Sequence, residues 1–336
     1  MLDLLKRLCE TDGTSGNEER IRDIIISEIN GFCEWKTDNL GNIIAFKKGK
    51  KAPKEKLLID AHMDEVGIII SAVTGDGFLK FKTIGGINVS ALMFRNVLIN
   101  GSLHGVISGK PVHLLQKSER EKLPKEDSLY IDIGASSREE ALKLVSLGDF
   151  GVLESEWTIS GDNILSKALD DRVGCAILVS LLKQEAEFDF YASFSVQEEL
   201  GLRGAKTAAF QVMPDSAIIL EGTTALDIAD TPDTEKVCSL GEGAAISFMD
   251  NSTLYYRPYF DEALKSGVKC QVKAKVSGGN NSGAIHLTGK GVKTITISVP
   301  CRYIHSAFSV CNKDDIYSAK ELCEYMMNKI LSGEAK

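Results

Sequence analysis

The chain has 336 residues, 43% of them hydrophobic and 26% charged, the composition of an ordinary globular protein with room for about two domains. Its 39 basic and 47 acidic residues give a formal charge of −8, which argues against nucleic-acid binding; the basic stretch 47–56 is diluted by Glu55 and sits where a hairpin should leave a sheet. The longest stretches without charge, 96–109 and 276–289, are broken by glycines and a histidine and fall well short of the ~18 apolar residues of a membrane span.

In chain order, Leu2, Leu5 and Leu8 predict a short amphipathic helix. Asp3, Lys6, Arg7 and Glu10 interrupt any apolar block there, so no secretory signal is read and a cytoplasmic protein is expected. Ile21, Ile24, Ile25 and Ile29 mark a second helix, with Ser15 or Asn17 as its N-cap. The turn-rich run Asp38-Asn39-Leu40-Gly41-Asn42 predicts a hairpin loop, and Leu57-Leu58-Ile59-Asp60-Ala61-His62 a strand buried on both faces. From about 66 to about 160 the chain turns to frequent glycines and short β-prone runs, with one helical stretch, SSREEALKLVSL (136–147), and a polar segment, 116–127, expected to be a mobile surface loop. This reads as a small β-rich module inserted into a larger fold. After Gly161 a β/α rhythm resumes: helix 173–183, strand 190–196, helix 203–210, strand 216–220, a Gly278-Gly279 turn, a helix near 282–287, strand 293–299 and a C-terminal helix from about Lys313. Such alternation predicts an α/β fold, a mixed sheet with helices on both faces, whose ligands gather at the carboxyl ends of the strands. The expected division is 1–65 with 161–336 as a discontinuous main domain and 66–160 as the insert. Eight cysteines with no CxxC spacing, several inside apolar runs, read as reduced core residues.

Five places near strand ends or helix starts carry the chemistry. The first is His62-Met63-Asp64, where period-2 alternation puts the imidazole and the carboxylate on one side. A metal-bound histidine usually gives its other ring N–H to a carboxylate, although a lone His-x-Asp is more often structural. The others are Asp170-Asp171 before a helix, Glu198-Glu199 ending a β-run, Glu221 ending another, and His305 six residues after Val299. Taken singly, each is an N-cap, a solvated charge or a loop residue; together they form a ligand set. Histidine and carboxylate ligands without thiolates suit zinc, cobalt or manganese, and the acids suffice for two ions sharing a carboxylate. Glu198 beside Glu199 lets one carboxylate bind metal while its neighbour carries a proton. Two ions about 3.5–4 Å apart are the apparatus of hydrolytic aminopeptidases.

The ordered segments SGNEE, AHMDEVG, ALDDRVG, VQEELGLRGA, an acid after a hydrophobic strand and PCRYIHS resemble the M42 family of metallo-aminopeptidases, which includes glutamyl and deblocking aminopeptidases and members labelled endoglucanase M. The resemblance implies that His62, Asp170, Glu199, Glu221 and His305 are the metal ligands. Asp170 would bridge, Glu199 would pair with His305, and Glu221 with His62. It implies Glu198 as general base and acid, Asp64 as the catalytic-site carboxylate that orients His62, and a cis Asp170–Asp171 peptide. It further implies two divalent ions, zinc or cobalt first and manganese third, and peptide substrates. The insert would serve as a lid or dimerisation domain, in a homo-oligomer such as a tetrahedral dodecamer built from dimers around an inner chamber. Departures from the family pattern are Glu221 where Asp is common, Gly278-Gly279-Asn280-Asn281 in place of Gly-Gly-Thr-Asp, and Ser306-Ala307-Phe308-Ser309 where Pro and Glu are common.

The function expected is therefore a metal-dependent aminopeptidase. Two alternatives stay open: a glycoside hydrolase, for which 7% aromatic residues and only Trp35 and Trp157 give little sugar-stacking surface, and a non-catalytic assembly protein of the same fold. His104, His113 and His286 are assigned to surface or packing, and Arg302 and Tyr303 receive no role. The preferred N-terminal residue is not legible.

Overall fold

A computed structural model describes residues 1–117 and 122–335. In the first third of the chain, β1 (Glu34–Thr37), β2 (Ile43–Lys47) and β3 (Leu57–His62) precede the barrel strands β4 (Gly67–Val73), β5 (Leu79–Ile84), β6 (Asn96–Ile99), β7 (Leu103–Ser108), β8 (Tyr130–Asp132) and β9 (Phe150–Leu153). Then come β10 (Thr158–Ser160), β11 (Asn163–Ser166), β12 (Phe190–Ser195), β13 (Ser216–Thr224), β14 (Ala244–Ile246), β15 (Cys270–Val272), β16 (Lys293–Arg302) and β17 (Ser309–Asn312). The large sheet runs β1-β2-β12-β3-β13-β16-β17-β11-β10, with β14 and β15 off its path, and the other six strands close a barrel, β4-β5-β8-β7-β6-β9. β3 lies parallel to both β12 and β13, and β13 parallel to β16, so the centre of the sheet is parallel and its flanks antiparallel.

The central strands are apolar throughout because both faces are covered. Leu57, Ile59, Ile218 and Leu220 join one core cluster with the helices Leu2–Glu10, Glu19–Ile29, Leu169–Lys183 and Lys313–Ser332. Their neighbours Leu58, Ala217 and Ile219 point the other way, onto Ala205, Ala208, Ala209 and Ile285 of the helices Arg203–Val212 and Ser282–Ile285. The barrel has a core of its own, including Ile68, Leu79, Val97, Ile107 and Ile131. No helix among the described residues is long and apolar enough to cross a membrane. All eight cysteines are free; six are buried, and Cys33 and Cys270 partly so.

Several expectations need correction. The helix read over 136–147 is one turn, Arg138–Ala141, capped by Ser137. Only Ala141 and Val145 reach the barrel's core, while Leu142, Leu144 and Leu147 are exposed, so the docked apolar face is too small to sustain a longer helix. Neither Ser15 nor Asn17 caps the second helix, whose N-cap is Glu18; the Ser15 hydroxyl instead donates to Asp64 Oδ2 at 2.6 Å. The loop expected over 116–127 includes 118–121, which lie outside the described residues. Sequence reading also passed over β14, β15 and the helix Arg257–Leu264, each too short for a clear period.

Candidate active site

β3 ends at His62, and the chain turns so that Asp64 becomes completely buried beneath the end of β12. Asp64 accepts hydrogen bonds from Glu198 N (2.9 Å) and Glu199 N (3.1 Å) as well as from Ser15, and its Oδ1 lies 3.4 Å from His62 Nδ1. One carboxylate thus fixes the imidazole and the backbone of both adjacent glutamates. Asp170 stands at the start of the helix Leu169–Lys183, where the Asp170–Asp171 peptide is cis. Asp171 turns away from the cavity and accepts from His62 N (3.2 Å) and Gly174 N (2.9 Å).

These elements bring the five expected ligands into two groups that share Asp170. His62 Nε2 lies 3.4 Å from both Asp170 Oδ1 and Glu221 Oε1. His305 Nε2 lies 3.1 Å from Glu199 Oε1 and 3.6 Å from Asp170 Oδ2. In each group the three donor atoms fall within 4.8 Å of one another. Asp170 Oδ1 and Glu221 Oε2 are buried without a hydrogen-bond partner, a costly arrangement unless a cation satisfies it. The residues present therefore fit a pair of divalent ions.

The electrostatics follow from crowding. Burial pulls the His62 imidazole down, but Asp170, Asp64 and Glu221 outweigh it and hold it well above its usual range; Asp170 and Glu199 do the same for His305, at about 11. Burial pushes Glu198 up to about 8 and raises Glu199 and Glu221, with neighbouring carboxylates adding to it. Asp170 stays low because the two imidazoles more than offset its burial.

The groups open into a cavity of about 570 Å³ whose lining includes Glu198, Glu199 and Glu221 together with Lys273, Lys275 and Asn280. Lys275 pairs with Glu235, whereas Lys273 donates to Ser277 O (3.0 Å) and has no carboxylate within ion-pair distance among the described residues. Burial pulls the Lys273 ammonium below the usual lysine range. Asn281 points away from the cavity, donating to Asp60 (2.7 Å) and Ser195 (2.8 Å).

Behind the ligands lies a buried ion cluster that sequence reasoning missed. Glu65 accepts from Lys167 Nζ at 2.7 and 2.9 Å, from Arg172 Nη2 at 3.1 Å and from Gly13 N at 3.1 Å. Glu65 and Arg172 flank the predicted ligands within AHMDEVG and ALDDRVG, but nothing in a single sequence says that they meet. His104 is exposed and pairs with Glu154, and His286 Nδ1 faces Ser282 O, so neither enters the site.

Comparison with known proteins agrees with this geometry. A profile of the M42 glutamyl aminopeptidase family matches residues 41–322. An Acetivibrio thermocellus protein carrying an aminopeptidase label is 40% identical over 329 residues, 96% of this chain and 97% of its own. The glutamyl aminopeptidase of Lactococcus lactis is 32% identical over 338 residues, 95% of this chain and 94% of its own. Among solved structures, the TET1 peptidase of Pyrococcus horikoshii, which can assemble into a tetrahedron or a large octahedral shell, superposes with a TM-score of 0.85 at 33% identity, covering 97% of this chain and 98% of its own. With a family profile spanning most of its length and relatives aligned nearly end to end, the chain belongs to the M42 peptidase family and is a metal-dependent aminopeptidase.

Proposed function

We propose that this aminopeptidase works with two divalent ions, one held by His62 and Glu221 and the other by His305 and Glu199, with Asp170 shared, and that it prefers peptides with an acidic N-terminal residue. The observation that carries the two-ion reading is the pair of His/carboxylate groups meeting at Asp170, with buried oxygens lacking any other partner. Zinc or cobalt suits this donor set best, with manganese third.

When bound, such ions lower the pKa of a water and polarise the scissile carbonyl. Glu198, held beside the two groups by its backbone bond to Asp64, takes the proton of the attacking water and delivers it to the leaving amine. Asp64 acts through others: its grip on two backbone N–H groups keeps Glu198 and Glu199 in register with His62. Lys273 supplies selectivity. A buried ammonium with one carbonyl partner retains donors for a second acceptor, and an incoming Glu or Asp side chain provides a charged one.

No Phe, Tyr or Trp lines the cavity, which leaves sugar cleavage without the usual stacking surface. The six-stranded barrel with its own core supports the division into a catalytic domain, 1–65 and 161–336, and an insert, 66–160, although β10 pairs with β11 and moves the return boundary to about 157. The assembly of the P. horikoshii relative supports a homo-oligomer, of which a dodecamer built from dimers is the form we favour, and buried free thiols suit a reducing cytoplasm.

The test is a panel of aminoacyl reporters bearing Glu, Asp, Leu, Lys and N-acetyl-Glu, assayed with zinc, cobalt and manganese. Glu and Asp should be cleaved best and the blocked substrate not at all. Lys273→Met should cut the Glu-over-Leu ratio by about tenfold or more, the loss of one charged hydrogen bond. A wild-type preference for Leu or Lys, or an unchanged ratio in the variant, rules out the acidic pocket.

A further inference from the structure

The two halves of the metal centre are built by different parts of the molecule. His62 and Glu221 project from β3 and β13 at the middle of the large sheet, and the side chains around them, Asp64, Asp170 and Asp171, come from the same domain. His305 instead sits on the loop between β16 and β17, and that loop leans on the barrel. Ala307, 2% exposed, belongs to the barrel's hydrophobic cluster rather than to the sheet's. The Arg95 guanidinium, just before β6, lies over the Phe308 ring, 5.9 Å from its centroid. Gly86, in the turn after β5, presents its carbonyl oxygen to His305 Nδ1 at 3.2 Å.

The last contact selects the side chain's chemistry. With Nδ1–H donating to the Gly86 carbonyl, Nε2 is the nitrogen left facing Glu199 and Asp170 for an ion to take, the usual arrangement by which a backbone carbonyl orients a metal-binding imidazole. The turn also needs its glycines. A Cβ on Gly86 would lie 3.2 Å from His305 Nδ1, and one on Gly85, whose φ is +79°, would lie 3.2 Å from Glu199 Cβ and 2.8 Å from Val66 Cγ1. Both ligands of one half-site are thus backed by a single barrel turn.

We propose that the inserted barrel is a positioning element of the His305–Glu199 half of the metal centre, through Gly86, Ala307 and the Arg95–Phe308 contact, and that the His62–Glu221 half is independent of it. This inference rests on the two-ion reading above. It also accounts for the departure Ser306-Ala307-Phe308-Ser309, since Ala307 and Phe308 dock the histidine loop rather than shape the substrate pocket.

The experiment is a cobalt(II) titration of the full chain by calorimetry and visible absorption, comparing wild type with Gly86→Ala and with Arg95→Ala/Phe308→Ala. The double variant changes only exposed side chains that ligate nothing themselves, and its circular dichroism and assembly state report folding independently of metal. In both variants one ion should bind about 10- to 100-fold more weakly, as when an outer partner of a metal ligand is lost, while the other stays within about twofold of wild type. Equal weakening of both ions, or none in a wild type that binds two, overturns the inference and leaves the two-ion reading standing. A wild type that binds a single ion overturns the two-ion reading and this inference with it.

Discussion

Replacing Glu65 with Gln tests whether the buried ion cluster holds the ligand segments together. Glu65 and Lys167 have side chains about one-twentieth exposed, and Arg172 is fully buried. A Gln amide keeps one acceptor but turns an NH₂ group toward some of the donors that now converge on the carboxylate, Lys167 Nζ, Arg172 Nη2 and Gly13 N. Two buried cations would then share no counter-charge. Breaking a buried pair in this way costs about 3–5 kcal/mol, against about 0–1 for an exposed pair. The pH dependence carries a definite sign. Burial already pulls Lys167 below the usual lysine range, and loss of Glu65 pulls it further. A lysine whose folded value lies below its unfolded value binds more protons unfolded, so stability rises with pH across that window. The deficit of Glu65→Gln should therefore shrink as pH rises toward the ordinary lysine value of about 10.4. The recovery should be partial, since Arg172 remains uncompensated. Urea unfolding of the metal-free protein at fixed assembly state, at pH 7 and pH 9.5, measures both effects. Adding Lys167→Met removes one stranded charge and should recover about half of the loss at pH 7. A deficit under about 1 kcal/mol, or one that ignores pH, would refute the reasoning.

Three further outcomes are expected. Glu198→Gln should retain its metal content and lose about 10²–10⁴-fold in kcat, the usual contribution of a general base; near-wild-type turnover in a metal-loaded protein sinks the assignment. Gly222→Ala should weaken both ions together, because its Cβ would lie 2.9 Å from the Asp170 backbone and 3.0 Å from Oδ1 of the shared ligand; selective loss of one ion in a titration contradicts the bridge. Asp227 is raised by burial but held below its usual range overall by two 2.7 Å bonds from Arg302. A lowered carboxylate stabilises above its unfolded value near 3.9 and loses that contribution as pH falls, so Asp227→Asn should cost about 1–2 kcal/mol at pH 7, with the gap to wild type closing below about pH 3 in acid-unfolding curves.

The parts of this structure legible in the sequence are those fixed by local pattern. An unbroken apolar run, Leu57 to Ala61, can be buried only between two layers, and Ile21, Ile25 and Ile29 recur at helical spacing. The candidate ligands were legible because acids and histidines at the ends of apolar strands are out of place unless something uses them. What was not legible depends on partners distant in the chain. Lys273 reads as one lysine among many until folding buries it in one cavity with Glu198 and Glu221. Gly86 is an ordinary turn glycine until its carbonyl meets His305, 219 positions away. Ser15 has the chemistry of a cap, yet a buried carboxylate 49 positions on is the better acceptor because it is charged and sequestered from water. The helix read over 136–147 fails for the converse reason: beyond Ala141 and Val145, which reach the barrel core, its leucines find nothing to pack against.

Metal binding at the two groups should also stabilise the whole fold. Asp170, Glu199, Glu221 and Glu198 crowd one buried spot, and without cations their mutual repulsion and orphaned oxygens act against folding. An ion that binds the folded chain alone adds RT ln(1 + [L]/Kd), about 2.7 kcal/mol at a hundredfold excess over Kd. For a chain of 336 residues, whose unfolding entropy is about 0.7 kcal/mol/K, that corresponds to a rise in melting temperature of roughly 4 °C per ion. Chelation should therefore lower the melting temperature by that amount or more. Zinc or cobalt should restore it and magnesium should not, since two imidazoles suit a borderline metal and not a hard one. The restoration should come in two steps if the His62 and His305 halves fill separately. Identical melting curves with and without chelator would mean that the carboxylates are reconciled by protons alone, and the ligand assignment would fall with that result.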